Sequence, residues 1–162
     1  MNAVSDTGPI NYLVQIGCED LITGLFECVL IPDAVAQELL HRRTPDRVRE
    51  WILGHPTGLQ IVAPDGMHLQ ISGLGKGECA AIDLARQLDL LLLADDKRAR
   101  SIARGMQVQV VGTLGVLCQA HASGLAEIQD SLGRLADTTF HLTEQLVEQV
   151  IERAKRLRDD TL

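Results

Sequence analysis

Apolar side chains along this chain switch repeatedly between short continuous runs and stripes at helical spacing, which lays out an alternation of strands and helices. A short apolar strand is expected around Ala3 and Val4. Asp6-Thr7-Gly8-Pro9 then supplies a cap and a proline suited to a first turn, so a helix should run through Leu13 and Ile16. A second short helix is expected over 19–26, followed by a buried strand over 28–31 that Pro32 stops. Val35, Leu39 and Arg42 stand at helical spacing in a helix over 33–41, and Val48, Trp51 and Ile52 do the same over 45–53. Residues 59–63 have the make-up of a strand. The most regular period lies in 78–88, where Ala81, Leu84, Ala85 and Leu88 form one stripe. The continuous apolar run 90–94 predicts a buried strand ending at Asp95-Asp96, with a basic helix over 97–104 and a last strand over 108–111. A helix over 113–122 stops at Gly124, and amphipathic segments over 127–135 and 143–157 close the chain. Strands alternating with helices in this way point to a parallel sheet.

A length of 162 residues suits one well-filled core, so a single domain is expected over 1–162, ending in an amphipathic helical segment at about 127–157. Aromatic residues are only 2% of the chain, so Leu, Ile, Val and Ala must fill that core. The longest apolar run is too short to cross a bilayer, and the start lacks a basic stretch followed by a hydrophobic one. A cytoplasmic protein without a membrane segment is expected. Cys18, Cys28, Cys79 and Cys118 sit apart among apolar neighbours and predict buried free thiols. His41, His55, His68, His121 and His141 show no metal-ligand spacing and receive no catalytic role. The net charge of −7 argues against nucleic-acid binding through overall charge, so local patches must carry any such contact.

Ligands of a parallel α/β sheet collect beyond the carboxyl ends of the strands. Asp6 follows the first predicted strand, and Asp95 and Asp96 follow the most hydrophobic one, which sets all three on one edge. A helix N-cap would by itself explain Asp6. Glu38 shares a helical face with Val35 and Leu39, where a carboxylate would be desolvated and in need of a partner. Glu78 lies in line with Ala81 and Ile82, although a first-turn acid favoured by the helix dipole has the same position. Several carboxylates in one cleft repel one another unless cations hold them, and magnesium and manganese prefer such oxygen ligands. Asp83 points away from Glu78, and Asp65 and Asp89 suit turns. The glycine-rich run 73–77 lacks the spacing and the Lys-Ser or Lys-Thr ending of a phosphate loop. Lys97, Arg100 and Arg104 share one face of the helix after Asp96 and suit a nucleic-acid backbone as well as they suit a solvated basic face.

Taken in order, Val4-Ser5-Asp6-Thr7-Gly8-Pro9-Ile10, Leu30-Ile31-Pro32 with Glu38-Leu39, Gly75-Lys76-Gly77-Glu78 with Ala80-Ala81-Ile82, Leu93-Ala94-Asp95-Asp96-Lys97-Arg98-Ala99-Arg100 and Val111-Gly112-Thr113-Leu114-Gly115 resemble the motifs of VapC-like PIN-domain proteins. The resemblance spans roughly residues 3–125 and is closest to the subgroup with Gly-Lys-Gly-Glu and Asp-Asp-Lys-Arg motifs. It implies a three-layer α/β/α sandwich around a central parallel sheet. It also implies a divalent-metal ribonuclease using Mg²⁺ or Mn²⁺, often the toxin of a toxin–antitoxin pair. Asp6, Glu38 and Glu78 match the first three acidic positions. Asp96 is preferred for the fourth, with Asp95 as a second ligand or a shaper of the turn. Glu78 stands where many relatives carry Asp. Thr7 would steady Asp6 or a bound water, or cap the first helix. An RNA substrate, a small antitoxin partner and a homodimer formed through exposed apolar faces of the first helices complete the expectation.

Two other classes compete. Haloacid-dehalogenase phosphatases and receiver domains also place acids at strand ends, but Gly8 stands where the phosphatase motif needs its second acid, and the acidic pair comes too late for a receiver. The other alternative is a catalytically inactive PIN-fold module for binding or dimerisation.

Overall fold

The computed structural model describes residues 1–63, 65 and 69–161. In chain order the elements are β1 (Ala3–Ser5), α1 (Thr7–Gln15), α2 (Asp20–Leu25), β2 (Val29–Pro32), α3 (Asp33–Leu39), α4 (Asp46–Leu53), β3 (Leu59–Val62), α5 (Lys76–Leu88), β4 (Leu91–Leu93), α6 (Lys97–Gly105), β5 (Val110–Val111), α7 (Thr113–Ala122), α8 (Ile128–Ala136) and α9 (Glu144–Thr161). The five strands form one all-parallel sheet in the order β3-β2-β1-β4-β5, with helices on both sides. The expected α/β/α sandwich is therefore the observed architecture.

The strand order carries the functional consequence. From β1 the chain steps outward through β2 to β3, then returns to place β4 on the other flank of β1. The crossovers leave β1 and β4 in opposite directions and open a crevice beyond their carboxyl ends. Ser5 pairs with Leu93, and the Asp6 N–H donates to the Leu93 carbonyl at 2.9 Å, so Asp6 and Asp95 emerge side by side.

Ala3, Val4, Val29, Ile31, Leu92 and Leu93 are fully enclosed, as strands covered on both faces must be. Of α5, Ala81, Leu84 and Ala85 are buried as its stripe predicted, with Ile82 buried beside them, while Leu88 is left 48% exposed at the helix end. The helix after β2 ends at Leu39, so Arg42 lies in the turn beyond it rather than on a helical face. The 78–88 helix starts earlier than its apolar period, at Lys76, because Gly75 is extended and serves as its N-cap. All four cysteines are free, Cys79 and Cys118 buried but Cys18 and Cys28 only half-buried. His68 lies outside the described residues.

One expectation is reversed. The apolar residues of α1 and α2, among them Ile10, Leu13, Val14, Leu21 and Ile22, are buried in the chain's own core. The exposed large apolar side chains among the described residues belong to other segments, so the first helices offer no apolar face for a homodimer.

Candidate functional site

Asp6 occupies the N-cap position of α1, yet its side chain makes no capping hydrogen bond. It is 7% exposed, and its Oδ1 is shut off from solvent with no hydrogen-bond donor among the described residues. Helix capping thus accounts for the backbone of Asp6 and leaves its carboxylate unexplained. Burial is the main reason its carboxyl pKa climbs from 3.8 to about 7; the Thr7 backbone N–H works against the rise, and the charges of Glu78, Glu38 and Asp95 add to it.

The other acids arrive from three further elements. Glu38 is exposed on α3 while Val35, Ala36 and Leu39 face the core, so the expectation of a core-facing carboxylate is overturned: the buried stripe runs one position to the side. Its partners are specific all the same. The Thr7 hydroxyl donates to Glu38 Oε2, and the Gly77 N–H donates to Oε1 at 3.1 Å. The Thr7 hydroxyl therefore braces Glu38 rather than Asp6, which meets only the Thr7 backbone N–H. A Cβ on Gly77 would lie 2.6 Å from that Oε1, which is why the approach requires glycine. Glu78, in the first turn of α5, accepts the Gly75 N–H at 2.7 Å, the reciprocal half of a capping box.

Of the acidic pair after β4, Asp95 is the more enclosed. Its oxygens accept the Thr113 N–H and the Thr113 hydroxyl, each at 2.7 Å. Burial pushes its carboxyl pKa up, while the two Thr113 contacts and the nearby Arg100 pull it down. Asp96 is exposed and caps α6 by accepting the Ala99 N–H at 2.8 Å. All five acids, with Thr7, Gly8 and Gly75, line one cleft of about 320 Å³ at the β1/β4 switch point. Asp83 stays outside it, buried and held by Arg86 and Gln87. The glycine run is fastened to the site's flank, since Arg98 donates to the Ser72 carbonyl at 2.6 Å.

This donor set suits a hard divalent cation. Every candidate ligand is a carboxylate oxygen, the charges raise one another's cost, and the enclosed Asp6 Oδ1 lacks a partner among the described residues. In the present arrangement no three acidic side chains among the described residues stand within ligand reach of one common point. Glu38, Glu78 and Asp95 are instead tied to the N–H and hydroxyl donors just named, each keeping lone pairs to spare.

A groove of about 950 Å³ continues from the cleft and shares Asp95 and Asp96 with it. Lys97, Arg100 and Arg104 line one wall, as their shared helical face predicted, and Arg153 of α9 joins them. Among the described residues, Lys97, Arg104 and Arg153 form no salt bridge, and the buried Arg100 Nε has no hydrogen-bond partner. In a chain of net charge −7 this is a concentrated positive surface.

The comparisons with known proteins agree with this geometry. A family model described as DUF3368, PIN domain, matches residues 2–156. The chain belongs to the PIN-domain family. PIN domains are generally nucleases that work with divalent metal ions. Among solved structures, the PIN fold is shared with a PilT N-terminus domain protein from the hyperthermophilic archaeon Sulfolobus solfataricus, at a TM-score of 0.51 and 15% identity over 88% of this chain and 100% of that one. No curated protein sequence matches the chain. No helix among the described residues of this PIN domain is long and apolar enough to cross a membrane.

Sequence reasoning missed three residues of the site. Thr113 lies in a quoted motif, but nothing local says that β5 delivers it to Asp95. Gly77 looks like one glycine among several until Glu38 is found against it. Arg153 is one of several basic residues in the last helix, and only packing of α9 turns it toward α6.

Proposed function

We propose that this PIN domain is a divalent-metal-dependent endoribonuclease that hydrolyses RNA phosphodiester bonds in the cytoplasm. The observation that carries the reading is the enclosed Asp6 carboxylate at the β1/β4 switch point, whose Oδ1 has no hydrogen-bond donor among the described residues, faced by the acids of α3, α5 and the end of β4.

Asp6, Glu38, Glu78 and Asp95 would hold the cation, Mg²⁺ or Mn²⁺, with Asp96 at the outer rim, where its carboxylate also caps α6. The sequence favoured Asp96 as the main fourth acid. The enclosure of Asp95, its grip by Thr113 and its effect on Asp6 favour Asp95 for that place. When bound, a divalent ion supplies Lewis-acid activation of water and neutralises charge on the phosphate. Thr7 and Gly77 fix the Glu38 carboxylate, and Thr113 fixes that of Asp95, so neither swings freely in the cleft. Lys97, Arg100, Arg104 and Arg153 hold the RNA backbone in the adjoining groove and orient the scissile phosphate toward the acids. No side chain needs to act as a covalent nucleophile.

The finer reading, a toxin countered by a small antitoxin protein, draws its support from the ordered VapC-like motifs. The decisive experiment is incubation of single-stranded and structured RNAs with Mg²⁺ or Mn²⁺, with EDTA and Asp6→Asn protein as controls. Cutting that both controls abolish is expected. RNA left intact by the folded protein with either metal would overturn the reading in favour of an inactive binding module.

A further inference from the structure

A second cavity, of about 630 Å³, adjoins the acid cleft: Thr7 and Glu38 line both, and Thr139 lines both this cavity and the basic groove. Its walls differ in character from the basic groove. Thr7, Asn11 and Gln15 follow one another at four-residue spacing along one face of α1, while Gln37 comes from α3 and His41 from the turn after it. Three primary amides therefore face a single cavity, each offering two N–H donors and a carbonyl acceptor. The Asn11 Oδ1 is shut off from solvent and has no hydrogen-bond donor among the described residues. Ala34 and Pro45 add apolar wall, while Arg43 and Lys76 form no salt bridge among the described residues.

We propose that this cavity is a nucleobase pocket, which takes the unstacked base of the nucleotide next to the scissile phosphate and gives the enzyme its sequence preference. The inference rests on the ribonuclease reading. Single-stranded RNA is read by hydrogen bonds to splayed-out base edges, which present closely spaced donors and acceptors that side-chain amides match. The volume falls within the usual range for a small-ligand pocket. The shared wall of Thr7 and Glu38 keeps the pocket within one nucleotide of the acids. Arg43 and Lys76 are placed for the phosphates on either side of that nucleotide. A docked amphipathic helix would need large apolar side chains to anchor on, and of the lining residues only Ala34 and Pro45 have apolar side chains.

The test uses the full chain and the double variant Gln15→Ala/Gln37→Ala, both checked for folding by circular dichroism. Gln37 is exposed and Gln15 is partly so, and these replacements leave the core intact. A randomised RNA pool is cut in Mn²⁺ and the new ends are sequenced. The unaltered chain should favour one base beside the cut by roughly tenfold, in line with the discrimination of a well-made side-chain–base pair. The double variant should lose the preference at that position and keep any preference elsewhere. A retained preference, or equal loss at all positions, would overturn the pocket. In parallel, fluorescence anisotropy in EDTA measures binding of labelled eight-nucleotide oligo(A), oligo(C), oligo(G) and oligo(U). A ranking by base that the double variant abolishes supports the pocket, and equal affinity of the unaltered chain for all four refutes it, whether or not cleavage is seen. Absence of cleavage with a base ranking intact would sink the ribonuclease reading alone.

Discussion

Replacing Asp6 by Asn should make the metal-free protein more stable at neutral and alkaline pH while abolishing activity. The Asp6 carboxyl is 7% exposed and its pKa is raised from 3.8 to about 7, chiefly by loss of water. Below pH 3.8 the group is protonated in folded and unfolded chains alike, and its stabilising share is fully present. As pH rises the unfolded chain releases this proton first, so stability declines until the folded group ionises near pH 7, and the loss is complete beyond that. At roughly 1.4 kcal/mol per pH unit, the rise sets an upper limit of about 4 kcal/mol on the cost of the ionised group. Asn keeps the shape and removes the charge. If half of that limit is recovered, about 2 kcal/mol, the melting temperature of a chain this size rises by about 4–8 °C. The assay is thermal unfolding of both proteins in EDTA from pH 4 to pH 9. The variant's advantage should grow across pH 4–7 and then level off. With saturating Mn²⁺ the order should reverse, because an ion bound only to the folded state stabilises the protein that retains the ligand. A variant that melts at or below the unaltered protein at pH 8 in EDTA, or whose advantage does not vary with pH, would refute the account of Asp6.

Thr113→Val removes the hydroxyl that grips Asp95 Oδ2 at 2.7 Å and keeps the side-chain volume. The fully buried site should cost about 1–3 kcal/mol by chemical denaturation. Calorimetric Mn²⁺ affinity should fall roughly 10- to 100-fold, the usual cost of losing a ligand's orienting partner. Gly77→Ala places a methyl 2.6 Å from Glu38 Oε1 and should lower cleavage roughly tenfold or more in single-turnover assays, with the circular dichroism of the folded protein unchanged. Arg104→Ala and Arg153→Ala should each weaken RNA binding uniformly across sequences, and each should reduce the slope of log affinity against log salt by about 0.7 in anisotropy titrations.

The sequence alone determined the architecture, because the period of its apolar positions depends only on local chain geometry. The run ending at Asp95 had to be a buried strand, the stripe through Ala81 and Ala85 had to be a helix, and their alternation required a parallel sheet. It also located the acids of β1 and β4 on one edge, since each directly follows a strand. Tertiary structure decided what the side chains do. Glu38 lies outside the buried stripe and owes its place to Thr7 and Gly77, partners 31 and 39 residues away. Thr113 grips Asp95 rather than Asp96, and it reaches Asp95 only because β5 lies beside β4. Arg153 and Gln37 face their cavities through the packing of α9 and α3, on which helical period alone is silent. Desolvation decided the character of Asp6. A carboxylate's cost depends on everything that surrounds it, and those surroundings are assembled from segments far apart in the chain.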